Sequence, residues 1–326
     1  MQQVFSSKTN MNLTIIIPFL NEGVEVLRTV ESIRETATES PAILLINDAS
    51  EDDYDYRAVA EKYNCTYILH ENRMGVANSR QEGVEKCKTE HFLLLDGHMR
   101  FYDKGWDKLL LEHLQNNPRA LICCQNRTLY KKDDGEIYEK ESYRRGYGAY
   151  IDFSNFRAKW NYVDPAPFSN IAEIACVYGA AYACNKTYWN RLHGLNGLQT
   201  YGSDEQFISM KVWMEGGKCL LTKDVTAGHI YRETFPYEVA KAHIAYNQLY
   251  IEELLLPYPI KEKLFANQTR IHNRIFSESY QTLKNNYKEV KTEKEYLKSI
   301  LGNADRFVHI NSVIEKTNQN HIFNNS

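Results

Sequence analysis

The 326-residue chain is 43% hydrophobic and 12% aromatic, enough apolar side chain to bury one large core or two modest ones. Its formal net charge of -3, with acids and bases interspersed, argues against a general nucleic-acid binder. Seven cysteines without CxxC spacing read as reduced, mostly buried thiols and favour the cytoplasm; Met1–Asn10 lacks the apolar centre of a secretory signal, and no run approaches the roughly 18 apolar residues of a membrane span, so any membrane contact is peripheral. In chain order, Leu13–Pro18 reads as a strand, Val24–Ala37 as a helix with Val24, Leu27, Val30 and Ile33 on one face, and Ala42–Ile46 as a second strand. Helix Ala58–Tyr63, strand Thr66–Leu69, helix Val76–Cys87 and strand Phe92–Leu95 follow, a repeating β-α-β pattern that predicts a parallel sheet wrapped by helices.

Beyond residue 100 the pattern is less regular. Asp107–Asn116 reads as a helix, Ala120–Gln125 as a strand, Tyr130–Tyr138 as a hairpin turning at Asp134-Gly135, and Arg144–Asn170 as a long ordered loop. A helix lies within Gly202–Gly217, short strands at Lys218–Leu221 and Val225–His229, and an apolar helix at Val239–Leu256. After Pro257 a polar helical region runs to about Ile300, followed by an Asn-rich end. This divides the chain into a catalytic region, 1–256, and a helical extension, 257–326.

In parallel sheets ligands lie beyond the carboxyl ends of the strands. The residues there are Asn21 and Glu22, Asp48, Asn72 and Arg73, then Asp96 and His98. Asp96-Gly97-His98 is the sharpest of these, because a buried apolar run, Leu93–Leu95, ends abruptly at two side chains able to bind a metal ion.

The order Pro18-Phe19-Leu20-Asn21-Glu22, Ile46-Asn47-Asp48-Ala49-Ser50, Arg73-Met74-Gly75 with Arg80, and Asp96-Gly97-His98 resembles glycosyltransferase family 2 over roughly residues 12 to 240. The likeness is greater to the catalytic domain of polypeptide N-acetylgalactosaminyltransferases, which carry Asp-x-His where most relatives carry Asp-x-Asp. Tyr201-Gly202-Ser203-Asp204-Glu205 falls where those enzymes have Trp-Gly-Gly-Glu-Asn, and Gly228–Arg232 with Pro236-Tyr237 falls on their His-x-x-Arg and Pro-Tyr positions. The resemblance implies an α/β GT-A fold, a mostly parallel central sheet flanked by helices. It also implies a UDP-sugar donor and a glycan or glycoconjugate acceptor, with Pro18, Asn21, Glu22, Asp48, Arg80, Asp96, Gly97, Arg232 and Tyr237 around the nucleotide-sugar.

Each motif has a chemical task. Asp48 is placed to accept the imide hydrogen of uracil, with an Asx-turn or helix cap at Asp48-Ala49-Ser50 as the plain alternative. Arg80 is read as neutralising phosphate or pairing with Asp96, with a surface ion pair as its competitor. Asp96 and His98, joined through the resemblance by His229, form a mixed oxygen and nitrogen set that suits Mn²⁺, with Mg²⁺ as second choice. Arg232 and Tyr237 add hydrogen bonds to the diphosphate. Inverting family 2 enzymes show Glu-Asp at the next motif and retaining N-acetylgalactosaminyltransferases Glu-Asn; Asp204-Glu205 departs from both. The carboxylate of Glu205 leads to an expectation of inversion, with Glu205 as base and Asp204 as alternative base or sugar ligand; an acidic pair stabilising the helix N-terminus is the bland reading.

The acceptor is less legible. Tyr147, Tyr150, Phe153, Phe156, Trp160 and Tyr162 offer stacking faces for sugars, or simply a core beneath the loop. A cytoplasmic enzyme of surface polysaccharide or other glycoconjugate synthesis is expected. The mixed Lys/Glu helices beyond Pro257 are read as solvated faces packed on the catalytic region or a second subunit. A sugar nucleotidyltransferase would need a glycine-rich basic loop after the first strand, which Pro18–Gly23 does not provide, and a non-catalytic sugar-nucleotide module would lack the base or metal ligands.

Overall fold

The computed structural model describes residues 12–132, 135–139, 145–232 and 234–324. Met1–Asn10, Asp134 and Arg144, which carry the expected polar N-terminus, half of the hairpin turn and the start of the long loop, lie outside the described residues. The first half follows the predicted alternation: β1 (Leu13–Phe19), α1 (Val24–Thr36), β2 (Ala42–Asn47), α2 (Tyr56–Lys62), β3 (Thr66–Leu69), α3 (Val76–Lys86) and β4 (His91–Leu95). β1 is a β-branched run in which every residue is buried, so its side chains serve both faces of the sheet. Ile15 and Ile17 pack with Val26, Val30 and Ile33 of α1, whereas Ile16 between them packs with Ala77 and Val84 of α3.

The second half departs from a purely parallel sheet. β5 (Met99–Phe101), α4 (Trp106–Asn116), β6 (Ala120–Lys131) and β7 (Ile137–Glu139) come next, then β8 (Ala149–Asp152) and β9 (Arg157–Trp160). β10 (Ile171–Glu173), β11 (Ala181–Asn185), α5 (Lys186–Arg191), α6 (Asp204–Glu215) and β12 (Lys218–Ile230) complete the sheet region, whose main order is β10-β12-β6-β11-β4-β1-β2-β3. β1, β2, β3 and β4 pair in parallel, as do β6 and β12, but β11 runs antiparallel to both β4 and β6. The two short strands expected near 218 and 225 are one strand, β12, whose register shifts between Thr222 and Thr226. The loop expected over 144–170 contains the antiparallel hairpin β8-β9.

α7 (Lys241–Leu255), α8 (Tyr258–Asn285), α9 (Tyr287–Ile300) and α10 (Asp305–Asn324) follow, so the Asn-rich end is helical. Leu264, Phe276, Leu283, Val290, Leu297 and Phe307 from these helices share a core with Phe207 and Trp213 of α6. No helix among the described residues is long and apolar enough to cross a membrane. All seven cysteines are free and all but Cys65 are buried.

Candidate active site

The chain runs from β1 outward to β2 and β3, then returns to place β4 on the other side of β1. That reversal opens a crevice beyond the carboxyl ends of the strands. A cleft of about 1150 Å³ lies there, and its wall includes Pro18, Glu22, Asp48, Arg73, Arg80, Asp96, Gly97 and His98. Residues from far along the chain close it: Tyr201–Glu205, His229–Arg232 and Tyr237. Asn21 is not in the wall; its side chain accepts from the Glu51 amide at 2.8 Å and reaches the Pro236 carbonyl at 3.4 Å, tying two rim loops together.

Asp96 at the end of β4, His98 before β5 and His229 in β12 bring one ligand atom each to within 4.8 Å of one another. β12 pairs with β5 at His229 and Met99, which is why residues 131 positions apart meet here. The two Nε2 atoms of His98 and His229 face each other at 3.0 Å, and His229 Nε2 lies 3.6 Å from Asp96 Oδ2. His98 Nδ1 is 3.2 Å from Glu22 Oε2, so a proton on Nδ1 donated to that carboxylate leaves the Nε2 lone pair toward the cluster. Burial, helped by His98, Arg232 and Arg80, holds the His229 pKa well below its ordinary value and keeps the ring neutral, as a ligand must be. Among the described residues, buried His229 Nδ1 has no hydrogen-bond partner. Convergent lone pairs, a carboxylate and a second-layer acid fit a divalent ion of the Mn²⁺ type.

Glu22, read from sequence as a nucleotide contact, is buried and takes both guanidinium nitrogens of Arg232, one of them at 3.0 Å. Burial opposes its ionisation, but His98 and Arg232 hold its carboxyl below the usual range. Arg232 is thereby fixed at the mouth of the cluster. Tyr237 stands beside it, with the Arg73 guanidinium 4.9 Å from its ring centre and Arg73 Nη1 donating to the Glu238 carbonyl at 2.8 Å.

Arg80 is buried and is not a surface pair. Its Nη2 donates to Asp96 Oδ1 at 2.8 Å and to the Gly179 carbonyl at 3.0 Å, while Nη1 meets Asp204 and, at 3.3 Å, Glu205. The pairing with Asp96 is the geometry found, and Arg80 also lines the cleft. Glu205 lies against Gly179, where any Cβ would collide with its carboxyl. Burial first, and then Asp204, push the Glu205 carboxyl well above the usual carboxylate range.

Asp48 is buried, with Oδ1 accepting from the Met74 amide at 2.7 Å and meeting His70 Nδ1 at 2.8 Å, and Oδ2 accepting from the Gly75 amide at 2.7 Å. It does organise a turn, but the turn is 73–75 and not its own; the Ser50 amide bonds instead to Asn47. Gly75, at φ 87, sits where a side chain would strike the Thr200 backbone, which brings the 200–205 motif against α3. His70 spans Asp48 and Glu82 (2.7 Å on Nε2), and these carboxylates raise its pKa against the opposing effect of burial.

Of the aromatic residues between 147 and 162, Phe156 and Trp160 reach the cleft wall, whereas Phe153 packs on Phe307. Tyr178, Ile244, Gln248, Gln268 and Ile275 also line it. Sequence reading missed these, because the last four come from α7 and α8, where apolar spacing signals only packing.

Residues 14–169 match the family model of glycosyl transferase family 2. The chain is 27% identical over 286 residues to polypeptide N-acetylgalactosaminyltransferase 11 of Xenopus tropicalis, an alignment covering 81% of this chain and 46% of that protein. It is 28% identical over 250 residues to polypeptide N-acetylgalactosaminyltransferase 10 of Homo sapiens, covering 71% of this chain and 40% of that protein. The chain thus spans less than half the length of these relatives. The crystal structure of GalNAc-T7 with UDP, GalNAc and Mn²⁺ superposes with a TM-score of 0.76 over 92% of this chain and 56% of that one, at 21% identity. The mannosyltransferase PcManGT from Pyrobaculum calidifontis, in complex with GDP-Man and Mn²⁺, gives a TM-score of 0.51 over 88% of this chain and 84% of that one, at 15% identity. The chain therefore has a GT-A fold, with residues 14–169 matching the glycosyl transferase family 2 model and with sequence likeness to polypeptide N-acetylgalactosaminyltransferases.

Proposed function

We propose that this chain is a Mn²⁺-dependent glycosyltransferase that moves an N-acetylhexosamine from a UDP-sugar to a hydroxyl of a glycan or glycoconjugate, in the manner of the N-acetylgalactosaminyltransferases. The observation that carries this reading is the convergence of Asp96, His98 and His229 at the switch point of the sheet, with Arg232 beside them. A divalent ion held by those three residues supplies Lewis-acid stabilisation of a departing diphosphate. Arg232 and Arg73 contribute fixed positive charge to the same end of the cleft, and the Tyr237 hydroxyl adds a hydrogen-bond donor. Asp48 lines the same cleft and holds the 73–75 turn, a place that suits an acceptor for the base.

Of the two stereochemical courses, this reading favours retention over the expected inversion with Glu205 as base. What supports that course is the likeness in sequence to the N-acetylgalactosaminyltransferases, with the Glu205 carboxyl held against Gly179 and, at 3.3 Å, Arg80 Nη1. Calorimetry with UDP in the presence and absence of Mn²⁺ tests the assignment. Tight, metal-dependent binding of UDP is expected, weakened on the order of 100-fold by Asp96→Ala or His98→Ala. Equal binding by those variants, or none by the parent chain, sinks it.

A further inference from the structure

Asp204 and Glu205 open α6 side by side, and among the described residues Arg80 is the one cation within ion-pair reach of either. That guanidinium is already divided: Nη2 serves Asp96 and the Gly179 carbonyl, and Nη1 lies against Asp204, with Glu205 at a longer 3.3 Å. Asp204 is buried, whereas the Glu205 side chain is 21% exposed toward the cleft. The other titratable groups facing Glu205 are Tyr182 from β11, Tyr201 from the loop before α6 and Cys176, and none brings positive charge. Two adjacent anions against a shared cation in a desolvated pocket cannot both persist.

We propose that, beside the Arg80–Asp204 ion pair, Glu205 holds a proton and presents its O–H to an oxygen of the bound sugar as a hydrogen-bond donor. A protonated carboxyl offers one donor and one acceptor, as an amide does. The enzymes this chain resembles carry asparagine at that position, so the acid supplies by protonation what an amide supplies by structure. Burial and the neighbouring Asp204 both act in this direction, with Arg80 opposing. Because the proton leaves as pH rises, the donor is lost on the alkaline side and kept on the acid side.

This inference rests on the UDP-sugar reading, and the experiment separates the two. Release of UDP from UDP-N-acetylgalactosamine with Mn²⁺ is followed against pH for the wild-type chain and Glu205→Gln, beside UDP binding by each. The expected result is that Glu205→Gln binds UDP as the parent does and that its rate lacks the alkaline decline of the parent. A loss on the order of 100-fold with UDP binding intact makes Glu205 a base and overturns the proposal. Should UDP fail to bind at all, the functional reading falls, and the proton is still decided by a carboxyl ¹³C titration, with Glu205→Gln identifying the resonance. A Glu205 midpoint above neutrality supports the proposal; one in the ordinary carboxylate range overturns it.

Discussion

At the scale of single residues, the cleft is built from groups that each have more than one task. Glu22 orders His98 and Arg232 together, and Asp48 orders the 73–75 turn and His70 together. Ser203 is the exception, a residue whose backbone works against its side chain. It caps α6 at φ 66 and ψ 14, a left-handed conformation, and its hydroxyl makes no cap hydrogen bond. A non-glycine residue there costs about 1–2 kcal/mol, partly returned because glycine has more freedom to lose on folding. Ser203→Gly is expected to raise stability by roughly 0.5–1 kcal/mol in urea unfolding. A destabilised variant would show that the hydroxyl contributes a contact worth more than the strain. Asp96 and His98 were legible as candidate metal ligands because they follow the buried apolar run of β4 with side chains no core requires, whereas His229, inside β12, came only through the family resemblance. The Glu22–Arg232 pairing was not, since nothing local in either segment signals a partner 210 positions away.

Among elements, the β-α-β half was readable almost to its boundaries, because strand and helix periods alternate cleanly from Leu13 to Leu95. β11 was missed: Ala181-Tyr182-Ala183-Cys184-Asn185 is buried on both faces and carries neither alternation nor a β-branched residue. The contact between α7 and α8 shows another signal that sequence hides. Glu252 of α7 and Gln268 of α8 meet with Gln268 Nε2 donating to Glu252 Oε1 at 2.5 Å, while Glu252 Oε2 and Gln268 Oε1 are buried without partners among the described residues. Burial raises the Glu252 carboxyl to about 8, so near neutrality the acid is protonated and supplies the missing donor. Between the ordinary 4.5 of the unfolded chain and about 8, the folded chain binds a proton that the unfolded chain has released. This group therefore makes stability fall as pH rises through that window, with no further change above it. Glu252→Gln removes the titration and keeps the paired geometry. Its stability relative to the parent is expected to climb by roughly 2–4 kcal/mol from pH 5 to pH 8. A pH-independent difference in chemical unfolding would refute the buried-acid account.

For the molecule as a whole, the last helix, α10, reaches back to the cleft through the β8-β9 hairpin, whereas α8 lines it directly. The Asn311 side chain of α10 accepts from the Ile151 amide at 2.7 Å and donates to the Ile151 carbonyl at 2.8 Å, taking the place of a neighbouring strand at that edge. One helical stretch further on, Asn318 accepts from the Tyr162 amide at 2.8 Å and donates to Asn161 at 2.5 Å. Between these anchors the hairpin carries Phe156 and Trp160 into the cleft wall. The last helix therefore sets the position of side chains at a site it does not touch. Both asparagines are buried, so replacing them leaves backbone groups without partners or water. Asn311→Ala with Asn318→Ala is expected to lower stability by roughly 2–4 kcal/mol, and the loss should be local as well as global. Native-state hydrogen exchange reads the locality: the Ile151 and Tyr162 amides should lose protection by far more than those of β1 and β4. If all amides change together, α10 is part of a single cooperative unit and the hairpin has no separate hold on the cleft. If only the hairpin amides respond, the cleft wall around Phe156 and Trp160 is tuned from the C-terminal helix, with the half of the sheet that leads to Asp96 and His98 unaffected.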